Sequence, residues 1–152
     1  MDQKKLIESV KKLREELGLG IMEIKAALEE SKGDEAKAKQ ILKEKGFKKA
    51  EKRAEKEVKA GRVATYTHST GRVGAMVELL CETDFVAKND EFVGVARDIC
   101  LQVAAMNPES AEVLLESDFI KDPSLKIKDL VTALVAKFGE NIKLGKIARF
   151  EV

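Results

Sequence analysis

The stretch that decides the fold reads Glu78-Leu79-Leu80-Cys81-Glu82-Thr83-Asp84-Phe85-Val86-Ala87-Lys88. Its first half is typical of a half-buried strand, which ends at Thr-Asp. Because Thr83 or Asp84 can accept from the free N–H groups of a helix that begins there, the stretch predicts a strand, a helix cap and a helix. Two interpretations of Phe85 and Val86 remain open. Either both are core residues of the first helical turn, or a short rigid turn presents Phe85 at a domain corner for insertion into a partner.

The residues before this stretch predict a small helical bundle over 1–47. Apolar residues recur at helical spacing in three segments, and glycines follow each segment. The first helix should end at Gly18 and the second near Gly33, and the third should close at Gly46. Three short helices with two glycine-bearing turns form a bundle of the ubiquitin-associated type. It has few large apolar residues, so we expect marginal stability on its own.

Residues 48–60 form a second unit of different composition, since they are almost all charged or alanine. Such a segment favours helix but has hardly any apolar face. The sequence therefore predicts a solvated linker helix between two folded parts.

Residues 61–152 predict a core domain. The periodicity becomes two from Gly61, and a turn at 69–72 separates two strands of a β-hairpin. A long helix is expected from Asp84 to about Met106, with Phe85 and Phe92 on its buried side. A short helix near 112–116, a loop over 117–124, a helix over 127–138 and a last strand over 142–152 follow. The predicted fold class is α+β, with a three-stranded antiparallel sheet covered on one face by helices.

Composition limits the class of function. Lys and Arg (28) nearly balance Asp and Glu (27) in this chain of 152 residues, and there is no Trp and one Tyr. This is not the basic, aromatic footprint of a nucleic-acid-binding protein, so no direct nucleic-acid partner is expected. Cys81 and Cys100 lack a CxxC spacing and are expected to be reduced core thiols. With neither a signal-peptide pattern nor an apolar run of about 20 residues, a cytoplasmic protein is expected.

Catalytic chemistry is not indicated. The single histidine, His68, has no Ser, Cys or carboxylate at the spacing of a triad or metal site. Gly71-Arg72-Val73-Gly74 is a hairpin turn and not a phosphate-binding loop. Asp118 and Asp122 are expected to be solvated loop residues. The sequence predicts no catalytic residue, no metal site and no cofactor, and so favours a binder or regulator over an enzyme.

Four segments, in order along the chain, resemble the elongation factor Ts family. The most specific is Glu82-Thr83-Asp84-Phe85-Val86-Ala87-Lys88, and a second, Leu13 to Leu28, is similar to that family's N-terminal signature. Lesser matches are Ala105-Met106-Asn107-Pro108 and the C-terminal pair Phe138-Gly139-Glu140-Asn141-Ile142 and Ala148-Arg149-Phe150-Glu151-Val152. The resemblance covers nearly the whole chain.

The resemblance implies a guanine-nucleotide exchange factor that releases GDP from elongation factor Tu. The expected partner is elongation factor Tu in its GDP-bound and nucleotide-free forms. In the family the N-terminal bundle docks on the partner's G domain, and a phenylalanine wedge disturbs the Mg²⁺ and phosphate contacts. Carried onto this chain, the wedge segment comprises Thr83, Asp84, Phe85 and Val86, and the docking residues are Leu13, Arg14, Ile21, Met22 and Lys25.

The chain also departs from the family pattern. Leu17 and Leu80 stand where other residue types are usual, which affects only local turns and packing. Pro108 and Asp122 are only fourteen positions apart, so the helical hairpin that family members usually carry there does not fit. We therefore expect a short form of the family, which also lacks the second core subdomain.

One rival interpretation and one assembly prediction follow. The rival is a non-catalytic ubiquitin-associated-like binding module associated with the ribosome or RNA. The assembly prediction is a homodimer formed through the open face of the sheet, because its strands carry apolar residues on both alternating sets.

Overall fold

The computed structural model describes residues 2–152, in which a helical bundle packs against an α+β layer. The helices are α1 (Gln3–Leu17), α2 (Ile21–Glu30), α3 (Glu35–Arg53), α4 (Asp84–Ala87), α5 (Asp90–Met106), α6 (Ala111–Glu116) and α7 (Ile127–Phe138). The strands are β1 (Ala60–Thr67), β2 (Val73–Cys81), β3 (Asp118–Phe119), β4 (Asp122–Lys126) and β5 (Lys143–Glu151). None of the helices formed by residues 2–152 has the length and apolar character that crossing a bilayer requires.

The bundle of α1, α2 and α3 closes around its own small core. Asp2 and Asp34 cap α1 and α3 by accepting from backbone N–H groups of the first turn. Gly18 ends α1 in the left-handed conformation (φ 65°), which glycine adopts without steric penalty. The buried apolar side chains are Leu13, Ile24, Ala27, Leu28, Ala38 and Leu42.

The third helix is longer than the sequence predicted. We expected closure at Gly46 and a separate helix over 48–60, but α3 continues to Arg53 and residues 54–59 are not helical. Gly46 is buried, and a Cβ added there would lie 3.3 Å from the Cβ of Ala136 on α7. Glycine here allows two helices to approach closely. That packing offsets the roughly 1 kcal/mol of helix propensity that glycine lacks.

The predicted solvated linker is therefore wrong over its first part. Ala50, one turn beyond Gly46, packs against the core of the sheet domain, and Arg53 is half-buried. These positions follow each other at helical spacing, so one narrow face of a charged helix is covered. A face of small residues carries no strong apolar signal, which is why composition alone indicated a solvated helix.

The sheet confirms the predicted α+β class. Its strand order is β1-β2-β5, with both neighbouring pairs antiparallel. Alternate residues of β2 are buried beneath α5, as period-two patterning requires. The sheet and its covering helices share one core, which includes Ala75, Val77, Leu79, Cys81, Phe92, Ala96, Ile99 and Cys100.

Two predictions after β2 were wrong. The expected helix from Asp84 to Met106 is broken at Lys88–Asn89, and Asn89 caps α5 by accepting from the backbone N–H of Glu91 at 2.9 Å. In place of the expected loop over 117–124, the chain forms β3 and the start of β4, which pair with each other. The buried Gln102 holds this segment through three hydrogen bonds, each of 2.9 Å. Its Nε2 donates to the Ser117 hydroxyl and to the Asp118 carbonyl, and its Oε1 accepts from the Ile120 N–H.

Candidate docking surface at the strand–helix turn

The turn after β2 presents an aromatic side chain to solvent. Phe85 is 91% exposed, whereas Val86 and Ala87, which follow it in α4, are buried. Successive residues of a helix point about 100° apart, so the half-turn that buries Val86 and Ala87 directs Phe85 outward. The prediction that Phe85 lies on a buried helical face is therefore wrong. The break at Lys88–Asn89 gives α4 a register independent of α5.

Backbone and side-chain bonds fix this short turn. Thr83 is the cap of α4, and its hydroxyl lies 3.5 Å from the N–H of Val86. The Cys81 thiol donates to the Thr83 carbonyl across 3.2 Å. The N–H groups of Lys88 and Asn89 donate to the carbonyls of Asp84 and Val86 at 3.1 and 3.0 Å. Phe85 is thus an exposed side chain on a segment whose backbone is hydrogen-bonded both before and after it.

Glu140 holds the turn from another part of the chain. It follows Gly139, the left-handed residue (φ 68°) that ends α7, and is only 8% exposed. Its Oε1 accepts from the Thr83 backbone N–H at 3.1 Å and from the Thr83 hydroxyl at 2.6 Å. Sequence reasoning assigned Glu140 no role. The available signal was a carboxylate directly after a glycine helix stop, inside a segment that resembles the family.

A second set of contacts ties the bundle to the same turn. Arg53, at the end of α3, donates from Nη2 to both carboxylate oxygens of Glu82, at 2.9 and 2.6 Å. Lys49, one turn earlier, pairs with Glu23 of α2. Two residues of α3 thus pair with Glu23, which follows Met22, and with Glu82, which precedes Thr83. This links the two surfaces that the sequence singled out.

Asn141 fastens the chain between α3 and β1. Its side chain is buried and donates from Nδ2 to the carbonyls of Ala54 and Lys56, at 3.3 and 2.7 Å. These carbonyls lie just past the end of α3, where no further residue of the helix can donate to them. Neighbouring residues 140 and 141 thus hold two different segments at one corner of the domain.

The predicted docking residues of the bundle divide into two groups. Ile21 is 47% and Met22 75% exposed at the start of α2, and Arg14 and Lys25 are also exposed. Leu13 is fully buried in the bundle core, so it supports this surface and does not belong to it. Val86 has the same supporting role at the turn.

The remaining titratable candidates show no catalytic arrangement. His68 lies on the exposed hairpin turn, where Nδ1 is 3.1 Å from the Tyr66 hydroxyl. Both cysteines are free and buried. Burial, followed by the negative charge of Glu140, raises the pKa of the Cys81 thiol to about 11, and burial raises that of Cys100 to about 11. Across residues 2–152 no group of three His, Cys, Asp or Glu side chains is placed to hold a metal ion.

The fold and the exposed residues together describe a two-part protein with an apolar surface on each part. A small helical bundle is joined by α3 to an α+β domain, and both parts expose apolar side chains on ordered turns. Comparison with known proteins gives the family. A family model described as Elongation factor TS matches residues 82–152, which include the strand–helix turn and everything after it.

Relatives of established name match almost the whole chain. Elongation factor Ts of Thermodesulfovibrio yellowstonii is 40% identical over 189 aligned positions, which cover 95% of this chain and 94% of the relative. That of Carboxydothermus hydrogenoformans is 38% identical over 190 positions, covering 95% and 88%. The chain belongs to the elongation factor Ts family and is a translation elongation factor of protein biosynthesis.

The same comparisons show differences in length between this chain and its relatives. An alignment of 189 positions is longer than this chain of 152 residues, so the relative carries residues that this chain lacks. The elongation factor Ts of Clostridium acetobutylicum is 44% identical over 142 positions, which cover 93% of this chain but only 46% of the relative. In this chain the segment after Pro108 is compact, consisting of α6 and the β3–β4 hairpin.

Proposed function

We propose that this chain is a guanine-nucleotide exchange factor that releases GDP from elongation factor Tu and acts by binding, without a covalent step. The observation that carries the proposal is the 91% exposure of Phe85 on a turn whose neighbouring residues are buried and hydrogen-bonded. An exposed phenylalanine gains free energy only when a partner covers it, so its place on a rigid turn fits insertion into another protein. Such a factor works in the cytoplasm, where elongation takes place.

The proposed mechanism is mechanical. Phe85 wedges between helices of the partner's G domain, while Thr83 and Asp84 hold the insertion and the buried Val86 supports it. Mg²⁺ bridging to phosphate oxygens contributes much of a G domain's hold on its nucleotide. A displacement of these contacts by about 1 Å therefore suffices to speed GDP release. By linkage, the chain must weaken nucleotide binding by the same factor by which nucleotide weakens binding of the chain.

The bundle supplies affinity in this proposal. Ile21 and Met22 form an exposed apolar pair at the start of α2, with Arg14 and Lys25 as charged neighbours. The ion pairs of Lys49 with Glu23 and of Arg53 with Glu82 connect the segment that carries this pair to the segment that carries Phe85. Two contacts carried by one chain allow the docking energy of the bundle to offset the free energy of inserting the wedge.

We also propose that the working form is a homodimer made through the open face of the sheet. Met76 of β2 lies opposite Thr65 of β1 and Ala148 of β5, and Phe150 lies opposite Gly74. Val63 is 54%, Met76 49% and Phe150 78% exposed, so three large apolar side chains share the face that the helices leave open. A two-fold contact of about 800 Å² per chain would cover such a face.

The test of the exchange proposal is release of fluorescently labelled GDP from elongation factor Tu, followed by stopped flow while the concentration of this chain is varied. The proposal predicts a release rate that rises with the chain and saturates. Calorimetry of the isolated chain with GDP should show no tight binding. Release that is unchanged across the whole range, or tight nucleotide binding by the chain alone, would overturn the proposal.

A further inference from the structure

The carboxylate of Glu140 is buried in a setting that is unusual for a charge. Buried charges are generally paired with an opposite charge or ligate a metal. Among the ion pairs of residues 2–152 none involves Glu140, and its hydrogen bonds come from the N–H and hydroxyl of one residue, Thr83. Burying a carboxylate that is bonded in this way costs free energy, which the role of its position in the fold must offset.

Its position controls the start of α4. A helix of four residues has no stability of its own, because nucleating a helical turn is unfavourable until many residues propagate it. The direction in which α4 leaves β2 must therefore be set by contacts outside the helix. Thr83 is the cap, and both its backbone N–H and its hydroxyl donate to the Glu140 carboxylate.

The contact is also long-range in sequence. Residues 83 and 140 are 57 positions apart, and Glu140 is placed by the end of α7, which packs along α3. Thr83 is two residues from Phe85, so a rotation of the cap changes the direction of the exposed ring. The Glu140 carboxylate is thus the point where the helical layer fixes the turn that carries Phe85.

We propose that Glu140 is a positioning residue for exchange, which holds the Thr83 cap so that Phe85 is presented in one orientation. This inference rests on the proposed function. Glu140 is only 8% exposed and is bonded to Thr83, so it acts through the turn that carries Phe85. Its loss should therefore lower the maximal exchange rate and leave docking through the bundle intact.

Four variants test the inference. Glu140→Ala removes both acceptors, and Glu140→Gln keeps an oxygen that can accept from Thr83. Thr83→Val removes the hydroxyl that donates to Glu140 and accepts from the Val86 N–H, and it keeps the backbone N–H that donates to Glu140. Asn141→Ala is the matched control, because Asn141 is equally buried in the same loop but bonds Ala54 and Lys56. All four are assayed below the lowest of their melting temperatures.

Two readouts separate positioning from general stability. The first is labelled-GDP release, resolved into a maximal rate and a half-saturating concentration. We expect Glu140→Ala to lower the maximal rate ten-fold or more, since a misplacement of about 1 Å can cost roughly 100-fold. Thr83→Val should lower it in the same direction, and Glu140→Gln should restore it to within about two-fold of the wild type. The half-saturating concentration should not change.

The second readout needs no partner. The natural chain has no Trp, so Phe85→Trp provides a single tryptophan at the tip of the turn. Its steady-state fluorescence anisotropy should fall when Glu140→Ala is added, because the ring then samples more orientations. It should stay at its original value with Asn141→Ala.

The outcomes distinguish this inference from the proposed function. If Phe85→Ala slows exchange but Glu140→Ala does not, or if Glu140→Ala adds its full loss on a Phe85→Ala background, Glu140 does not act through Phe85 and the inference is wrong. Equal impairment by Glu140→Gln and Glu140→Ala would also overturn it. If Phe85→Ala itself leaves exchange unchanged, the wedge mechanism fails, and the anisotropy still reports whether Glu140 orders the turn.

Discussion

Replacing Phe85 with alanine should remove exchange activity while leaving the fold intact. Phe85 is 91% exposed, so its side chain contributes little to the free energy of unfolding, and a surface substitution of this kind changes stability by about 0.5 kcal/mol or less. For a chain of this size that corresponds to a shift of melting temperature of about 2 °C or less.

The loss of exchange should be far larger. An aromatic anchor that becomes fully covered at an interface is worth about 2–4 kcal/mol, which lowers the ratio of maximal rate to half-saturating concentration by roughly 30-fold to 1,000-fold. The assay is labelled-GDP release from elongation factor Tu, with thermal melting measured on the same samples.

Phe92 provides the matched control for Phe85. It is fully buried, so Phe92→Ala should destabilise the chain by about 3–5 kcal/mol and lower the melting temperature markedly. The melting temperature of Phe85→Ala should therefore stay near that of the wild type, well above that of Phe92→Ala. If Phe85→Ala melts as far below the wild type as Phe92→Ala, and its exchange loss follows the unfolded fraction, Phe85 is a core residue and the reasoning is refuted.

Three further predictions concern other parts of the molecule. Arg14→Ala and Met22→Ala should raise the half-saturating concentration in the GDP-release assay and leave the maximal rate unchanged, because the bundle contributes uniform binding; equal losses in both quantities would show that docking and wedging are inseparable. Sedimentation equilibrium at micromolar concentration should show a dimer that Phe150→Asp dissociates, and a species of one-chain mass that does not associate on concentrating would contradict the homodimer. The raised pKa of the Cys81 and Cys100 thiols, about 11 in each case, means that the folded chain holds these protons more tightly than the unfolded chain. Their contribution to stability is present below the unfolded pKa of about 8.5 and is lost as pH rises towards 11. Over this pH range the melting temperature should therefore fall less in the Cys81→Ala/Cys100→Ala variant than in the wild type. An identical fall in both proteins would contradict this prediction.

The sequence predicted the architecture well wherever a strong periodic signal was present. The α+β class, the hairpin of β1 and β2 and the helix Ile127–Phe138 all follow from patterns of period 2 or 3.6 that the structure keeps. Gly46 was misread, because a glycine inside a charged segment gives the same signal whether it ends a helix or allows close helix packing. Only the neighbouring Ala136 on α7, far away in sequence, decides between the two.

The candidate site was predictable in its residues and unpredictable in its geometry. Thr83 as a cap follows from local chemistry, and the structure shows this cap. The exposure of Phe85 does not, since an aromatic residue seven positions before Phe92 fits the buried face of a continuous helix equally well. Asn89 decides the matter by starting a new helix. The Glu140 contact joins residues 57 positions apart, and no local pattern in a single sequence encodes such a distance.

The central claim is that Phe85 is exposed in the free chain and covered in the complex. A single fluorinated phenylalanine placed at position 85 tests this most directly, through the difference of its ¹⁹F chemical shift between H₂O and D₂O. We predict a large solvent isotope shift for the free chain, which disappears when nucleotide-free elongation factor Tu is added. A shift that persists unchanged in the saturated complex would contradict the account, because the ring would then remain in water while GDP is released.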